Sequence, residues 1–190
     1  MNQVLGWLSG GDLRSDGLAT EVAEIVLKNP EIFEDLIQGL NNADDLIRGR
    51  TADALEKIAR KRPDLLKPYL TDLLEAAQND TVMMVQMHLA MILGYMALYA
   101  AYLDELILTL FMLLNSEYVF VRSWAISSLC IIARMYPERN RSITERIVPL
   151  QNSDSPAIRS RVRNALNILT DQNCPFPKGW IKSTHLSGVL

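Results

Sequence analysis

One thirteen-residue segment is written four times along this chain, and that repetition constrains the fold more than any other feature. The copies are Ile47 to Ala59 (IRGRTADALEKIA), Val85 to Ala97 (VQMHLAMILGYMA), Val121 to Ala133 (VRSWAISSLCIIA) and Ile158 to Thr170 (IRSRVRNALNILT), with starts 38, 36 and 37 residues apart. Each copy opens on a β-branched residue and carries a leucine eight positions later (Leu55, Leu93, Leu129, Leu166). An apolar residue follows at eleven (Ile58, Met96, Ile132, Leu169). Offsets of zero, four, seven, eight and eleven trace one face of an α-helix. Self-similarity at such a period means a stacked array, because one unit cannot bury its apolar stripe alone.

An Asn-led turn precedes every copy: Asn41-Asn42-Ala43-Asp44, Asn79-Asp80-Thr81, Asn115-Ser116-Glu117 and Asn152-Ser153-Asp154. These turns supply helix N-cap candidates. A second amphipathic helix is expected before each turn, most legibly at Leu103, Leu106, Ile107, Leu110, Leu113 and Leu114. Pro30, Pro63 and Pro137 open three of these helices, where a missing N–H is harmless. No sustained alternation of β type competes with this pattern. The unit is therefore helix, short turn, helix and a sharp bend.

This pattern resembles the HEAT-repeat family over residues 30–170. The resemblance rests on an acidic turn residue followed by Val/Ile-Arg and a small-residue, Leu-rich helix: Asp44 with Ile47-Arg48, Glu117 with Val121-Arg122, and Asp154 with Ile158-Arg159. The second copy departs from it, with Asp80 but Gln86 in place of arginine. The implied fold is all-α, a right-handed α-α superhelix (solenoid) of about four HEAT-like helix pairs with N-terminal capping helices. In domain terms, 1–190 reads as one repeat domain, with 1–29 as cap, 30–170 as repeats and 171–190 as an extended tail. Leu18, Val22, Ile25 and Val26 mark residues 15–28 as the second helix of an incomplete first repeat. In the tail, prolines hold Cys174-Pro175-Phe176-Pro177-Lys178-Gly179-Trp180 extended, and Phe176 and Trp180 are expected to anchor it on the last repeat.

Composition narrows the functional classes. With 49% hydrophobic and 22% charged residues among 190, the chain can bury a sizeable core. Residues 1–114 carry net charge −8 and residues 115–190 net +5. Cys130 and Cys174 form no Cys-x-x-Cys pair, so neither a disulfide framework nor a zinc site is indicated, and a reducing, cytoplasmic compartment is expected. The N-terminus, Met-Asn-Gln-Val-Leu-Gly-Trp-Leu, lacks the basic region and long apolar core of a signal peptide and reads as a short amphipathic helix. Thr81 to Leu103 holds no Asp, Glu, Lys or Arg and is long enough to cross a bilayer. It falls in register with the repeat, contains Gln86 and His88 and has no basic flank, so a membrane span is rejected.

In HEAT-like arrays the second helix of each pair lines the concave side, which turns outward positions of the four segments into rows. The fourth residues are Arg50, His88, Trp124 and Arg161; the seventh are Asp53, Met91, Ser127 and Asn164; the eleventh are Lys57, Tyr95, Ile131 and Ile168. Arg50, His88, Met91, Tyr95, Trp124 and Arg161 together form the candidate partner-binding surface, since aromatic and Met side chains offer large, adaptable contact area. The alternative is that Trp124 packs onto its neighbouring helix or under the tail. The row Arg48, Gln86, Arg122, Arg159 could bind phosphate. In similar repeats, however, the matching arginine pairs with an acidic turn residue of a neighbouring repeat, and that ladder is the expectation.

Arg139, Arg141, Arg146, Arg159, Arg161 and Arg163 make the C-terminal end basic enough to consider nucleic acid. A terminal repeat needs a polar outer face, and no aromatic residue interleaves with these arginines to stack bases. Nucleic acid is thus the secondary reading. Enzymatic constellations are missing: no Gly-rich phosphate loop, no His-Glu pair of the kind an iron-dependent HEAT-like hydroxylase needs, and two histidines, His88 and His185, far apart. HEAT-like alkylpurine DNA glycosylases place a carboxylate amid aromatics, but Asp53 and Glu56 stand two repeats from Trp124. Neither cofactor nor metal is expected. The central stretch, with Met83, Met84 and Met87 on one helix and Leu108, Phe111 and Met112 on the next, exceeds what one core can face inward and invites a homodimer or partner contact. The expected function is a non-enzymatic adaptor or scaffold that receives a helix or extended segment of another protein.

Overall fold

Apolar residues recurring at three- and four-residue spacing wind helix after helix in the computed structural model, which describes residues 2–12 and 15–186. Eleven α-helices occur among the described residues, and no strand does. Two short elements lead, α1 (Gln3–Leu8) and α2 (Ala19–Lys28). Four helix pairs follow. The first is α3 (Phe33–Ile37) with α4 (Asp45–Ala59), and the second is α5 (Pro63–Leu66) running into α6 (Leu70–Asn79), paired with α7 (Met83–Tyr95). The third is α8 (Leu103–Leu113) with α9 (Val119–Met135), and the fourth is α10 (Asn140–Ile147) with α11 (Pro156–Thr170). The result is an all-α solenoid. Short 3-10 turns break several first helices, notably Pro30–Ile32, Lys67–Tyr69, Pro137–Arg139 and Val148–Asn152, each starting at or just before a proline.

The second helices form one continuous layer. α7 packs most extensively against α4 on one side and α9 on the other, α11 extends the row beyond α9, and α2 flanks α4 at the opposite end. The apolar stripe read from the repeat is the buried one: Ile47, Val85, Val121 and Ile158 at its start, with Leu55, Leu93 and Leu129 fully enclosed. Leu166 of the last copy is only half-buried, as befits an end repeat with one neighbour. The long uncharged stretch 81–103 is divided between α7, the turns Met96–Leu98 and Ala100–Tyr102, and the start of α8. No helix among the described residues is long and apolar enough to cross a membrane.

Of the four Asn-led turns, the first alone contains the N-cap residue of the helix that follows. Asp44 accepts from the Leu46 N–H at 2.9 Å and Ser155 from the Ile158 N–H at 3.4 Å, whereas α7 and α9 lack a side-chain cap at their N-cap residues Val82 and Tyr118. The Arg/Gln row is held largely by its own turns. Arg48 donates to the Asn42 carbonyl (2.9 Å), Gln86 to that of Asp80 (2.8 Å) and Arg159 to that of Ser153 (2.7 Å), in each case six residues back. The inter-repeat ladder is made by Arg48, whose Nε donates to Asp80 at 2.7 Å, and by Ser116, which donates to the Gln86 side chain at 3.2 Å. Arg122 departs from the expected ladder: its Nε is buried without a hydrogen-bond partner.

Close approach of α7 and α9 depends on small residues. Ser128 donates to the Ala90 carbonyl across the interface at 2.6 Å, and a Cβ added at Gly94 would lie 2.5 Å from the Ser128 hydroxyl and 3.0 Å from its Cα. Gly94→Ala therefore sets a helix-propensity gain of about 1 kcal/mol against overpacking of about 1–3 kcal/mol. The expected net result in urea titration is a loss of stability of about 1 kcal/mol. A stabilised variant would show that the two helices can separate without cost.

Candidate functional site

The residues expected on the working face are largely enclosed, and each enclosure has an identifiable partner. Arg50 is only 3% exposed. Its guanidinium donates to the carbonyls of Leu8 (3.0 Å), Gly10 (2.6 Å), Asp12 (3.1 Å) and Ser15 (3.3 Å), so the N-terminal loop is wrapped around it. Gly10, Gly11 and Gly17 have positive φ in this loop, and a Cβ at Gly17 would come within 2.6 Å of the Arg50 side chain. Arg50 is thus a buried fastener of the N-terminal segment, which corrects the expectation that it stands open beside the aromatic cluster. The glycines at 10, 11 and 17 mark a turning loop in the sequence but not the arginine inside it.

His88, Met91 and Tyr95 are likewise buried, correcting their expected outward placement. Since α7 lies between two neighbours, nearly its whole C-terminal half is used in packing. Tyr95 donates its hydroxyl to Glu56 at 2.9 Å, across the interface with α4. Glu56 is fully buried and also accepts from the Arg60 Nε at 2.8 Å and from its Nη2. Beside it, Asp53 accepts from Lys57, and the His88 Nε2 stands 3.4 Å from an Asp53 oxygen. Burial, opposed by Asp53 and Glu56, holds the His88 pKa below its ordinary value, while burial and the adjacent Glu56 carboxylate push that of Tyr95 far up. A mixed cluster of carboxylates, cations, imidazole and phenol thus lies where α4 meets α7.

Trp124 and Arg161 are brought together under the chain's own tail. Arg161 donates its Nε to the Ser123 carbonyl at 3.0 Å, which places its guanidinium 5.1 Å from the Trp124 ring centre and 4.4 Å from that of Trp180. One cation is shared between two indoles, and the Lys182 ammonium adds a second contact to Trp124 at 4.8 Å. Such contacts contribute about 0.5–2 kcal/mol each, most when desolvated. Burial lowers the Arg161 pKa to about 10, so it stays charged at neutral pH. Lys182 is also shifted down by burial, with Glu56 and Asp53 opposing. The tail's cation therefore lies in the field of the α4 carboxylates while touching the α9 tryptophan.

Trp180 anchors the tail on the last repeat as expected, whereas Phe176 lies against the third, 5.0 Å from the Arg134 guanidinium of α9, which also donates to the Cys174 carbonyl at 2.7 Å. Beyond them the tail runs further than the sequence suggested. The Thr184 N–H and hydroxyl both donate to the Arg60 carbonyl at 3.0 Å, Ser183 reaches the same oxygen at 3.3 Å, and His185 meets the Lys61 carbonyl. It spans from the last repeat to the first. The unsatisfied carbonyls at the end of α4 are natural acceptors for such donors. Residues 187–190 of the expected tail lie outside the described residues.

Elsewhere, the C-terminal arginines are mostly engaged. Arg139 pairs with Asp104 at 2.8 Å, Arg141 with Glu145 at 2.9 Å, and Arg146 lies 5.3 Å from the Phe111 ring. In the central stretch Leu108 and Met112 are exposed, as is Phe120 of α9, whereas Met83, Met84, Met87 and Phe111 are half-buried. Cys130 and Cys174 are unpaired, and burial pushes the Cys130 thiol up to about 12. A cavity of about 350 Å³ opens among the turns, lined by Arg48, Asp72, Glu75 and Asp80, away from the tail. No group of three or more His, Cys, Asp or Glu arranged to hold a metal ion occurs among the described residues.

Comparison with known proteins gives the fold. No protein-family model matches the chain, and no curated protein matches it. Three engineered proteins solved by the Northeast Structural Genomics Consortium are similar in structure. The first is 19% identical with a TM-score of 0.63, over 89% of this chain and 78% of that one. The second is 19% identical with a TM-score of 0.62, over 87% and 79%. The third is 18% identical with a TM-score of 0.59, over 88% of this chain but 47% of that one. The chain therefore has a helical-repeat fold that also occurs in engineered proteins.

The buried imidazole gives a pH dependence with a defined sign. With its folded pKa below about 6.5, His88 binds less proton than in the unfolded chain, so its contribution is lost as pH falls through that value. Between pH 7.5 and 5.5, wild type should lose about 1 kcal/mol more than His88→Gln. Parallel urea titrations of the two proteins check this, and equal losses would place the imidazole's titration in solvent.

Proposed function

We propose that this chain is a non-enzymatic protein-binding scaffold of the HEAT-like kind, working through the face of its second-helix layer. One observation carries the reading: that face already holds an extended polypeptide segment, the chain's own tail, through an indole-guanidinium stack at one end and helix-end carbonyls at the other. Aromatic residues and arginine are the side chains most often decisive in protein recognition. Two features support the HEAT-like assignment, the Asp44 to Arg48 turn motif and the Arg48 to Asp80 rung between repeats. The unpaired cysteines fit a reducing, cytoplasmic setting.

A nucleic-acid role draws less support, because Arg139, Arg146, Arg159 and Arg161 are each committed to a carboxylate, ring or carbonyl. Binding of phosphates would have to displace those contacts. The scaffold reading is tested by capture from nuclease-treated native lysate on full-length wild type and on Trp124→Glu, both matched for helicity by circular dichroism. The expected outcome is a protein retained by wild type and reduced at least about tenfold on the variant, as loss of a central aromatic anchor predicts. Identical protein sets on both would remove this face from the function.

A further inference from the structure

The tail is held at separated anchors, as a ligand is, with Trp180 and Leu186 entering the core. Trp180, Ser183 and Leu186 are buried while Lys182, Thr184 and His185 between them are exposed, so the segment, bent at a turn closed by the Trp180 N–H on the Pro177 carbonyl, is anchored at every third residue. Among the described residues of 171–186 there is no helix or strand, and past Asp171, whose N–H closes α11 on the Asn167 carbonyl, the backbone meets the body where the Thr184 N–H donates to the Arg60 carbonyl and where the Cys174 carbonyl accepts from Arg134. Its side-chain contacts include groups that the repeats supply: the Arg161 and Arg134 guanidiniums, the Trp124 ring and the Arg60 and Lys61 carbonyls. The central anchor, Arg161, does not need the tail to be positioned. Arg161 is held by Ser123, and Glu56 by Arg60 and Tyr95.

We propose that the tail is a displaceable ligand in cis, and that the same face takes in trans an extended segment of matching chemistry: an aromatic residue, a base two positions on, then small hydroxyl residues, as in Trp180-Ile181-Lys182-Ser183-Thr184. This rests on the scaffold reading and adds to it the class of partner. The aromatic residue completes the stack on Arg161. The base lies over the Trp124 ring, and the hydroxyls and backbone N–H satisfy the end of α4. A cavity of about 190 Å³ lined by Thr20, Glu24, Leu27, Lys57, Arg60 and Lys61 adjoins that landing point and gives a longer segment room to continue. A tethered tail competes at an effective concentration on the order of millimolar. Weak ligands are therefore excluded, and only a tighter segment or a released tail opens the face.

The test uses the full-length chain and a fluorescent synthetic peptide of residues 174–186, with anisotropy as readout. Trp180→Ala in the protein frees the stack without touching the repeats, and unchanged circular dichroism verifies the fold. The peptide should bind this variant at least about tenfold more tightly than wild type. Its affinity should fall at least about tenfold with Trp180→Ala in the peptide, and again with Lys182→Glu in the peptide. Combining Trp180→Ala with Arg161→Ala in the protein should abolish binding. Equal affinity for wild type and Trp180→Ala, or indifference to the peptide's tryptophan, overturns the proposal. Peptide binding as expected but no captured partner in the lysate experiment would count against the adaptor reading alone; a captured partner with no peptide binding would count against the cis ligand alone.

Discussion

Every second helix other than the terminal ones must pack against two neighbours at once, and the rest of the molecule follows from that demand. α7 and α9 meet closely enough for Ser128 to reach the Ala90 carbonyl, and Gly94 is the position that lets the backbones approach. Two packing faces plus a third toward the first helix leave little of the circumference free. This is why α7 carries the uncharged sequence that superficially resembles a membrane span, and why residues at nominally outward positions, Met91 and Tyr95 among them, are buried.

Polar groups inside such a layer need partners, and those they find tie the repeats together. Glu56, enclosed at the α4 and α7 interface, is matched by Arg60 on its own helix and by Tyr95 on the next. Breaking a buried pair on one side is strongly destabilising, about 3–5 kcal/mol, although the intact pair adds little net stability. What the arrangement supplies is a defined register between the first two repeats.

Both chain ends are folded back onto the second-helix layer, by different physics. At the N-terminal end Arg50 gathers four backbone carbonyls inside a glycine-bearing loop, a contact that is polar, short-ranged and almost fully desolvated. At the C-terminal end a cation shared by two indoles and a few helix-end carbonyls hold a strand that remains half in water. The first is a cap in the sense that repeat arrays require. The second has the form of recognition, with anchors separated by solvated residues.

The sequence by itself determined the repeat unit, the helix pairs and the buried stripe, because a period near 37 residues and offsets of four, seven, eight and eleven are local properties of the chain. It also marked Trp124 and Arg161 as belonging to one row and Phe176 and Trp180 as anchors. It could not say which outward positions stay open. Glycines at 10, 11 and 17 carry no trace of the arginine they surround, and Trp180 and Thr184 carry none of the helices they bridge. Those contacts join residues separated by tens of positions to more than a hundred, and no periodicity records them. Only the tertiary structure decided that Arg50 is consumed, that His88 and Tyr95 face carboxylates, and that Trp124 and Arg161 are covered by the tail, since each depends on which distant segments the fold brings together.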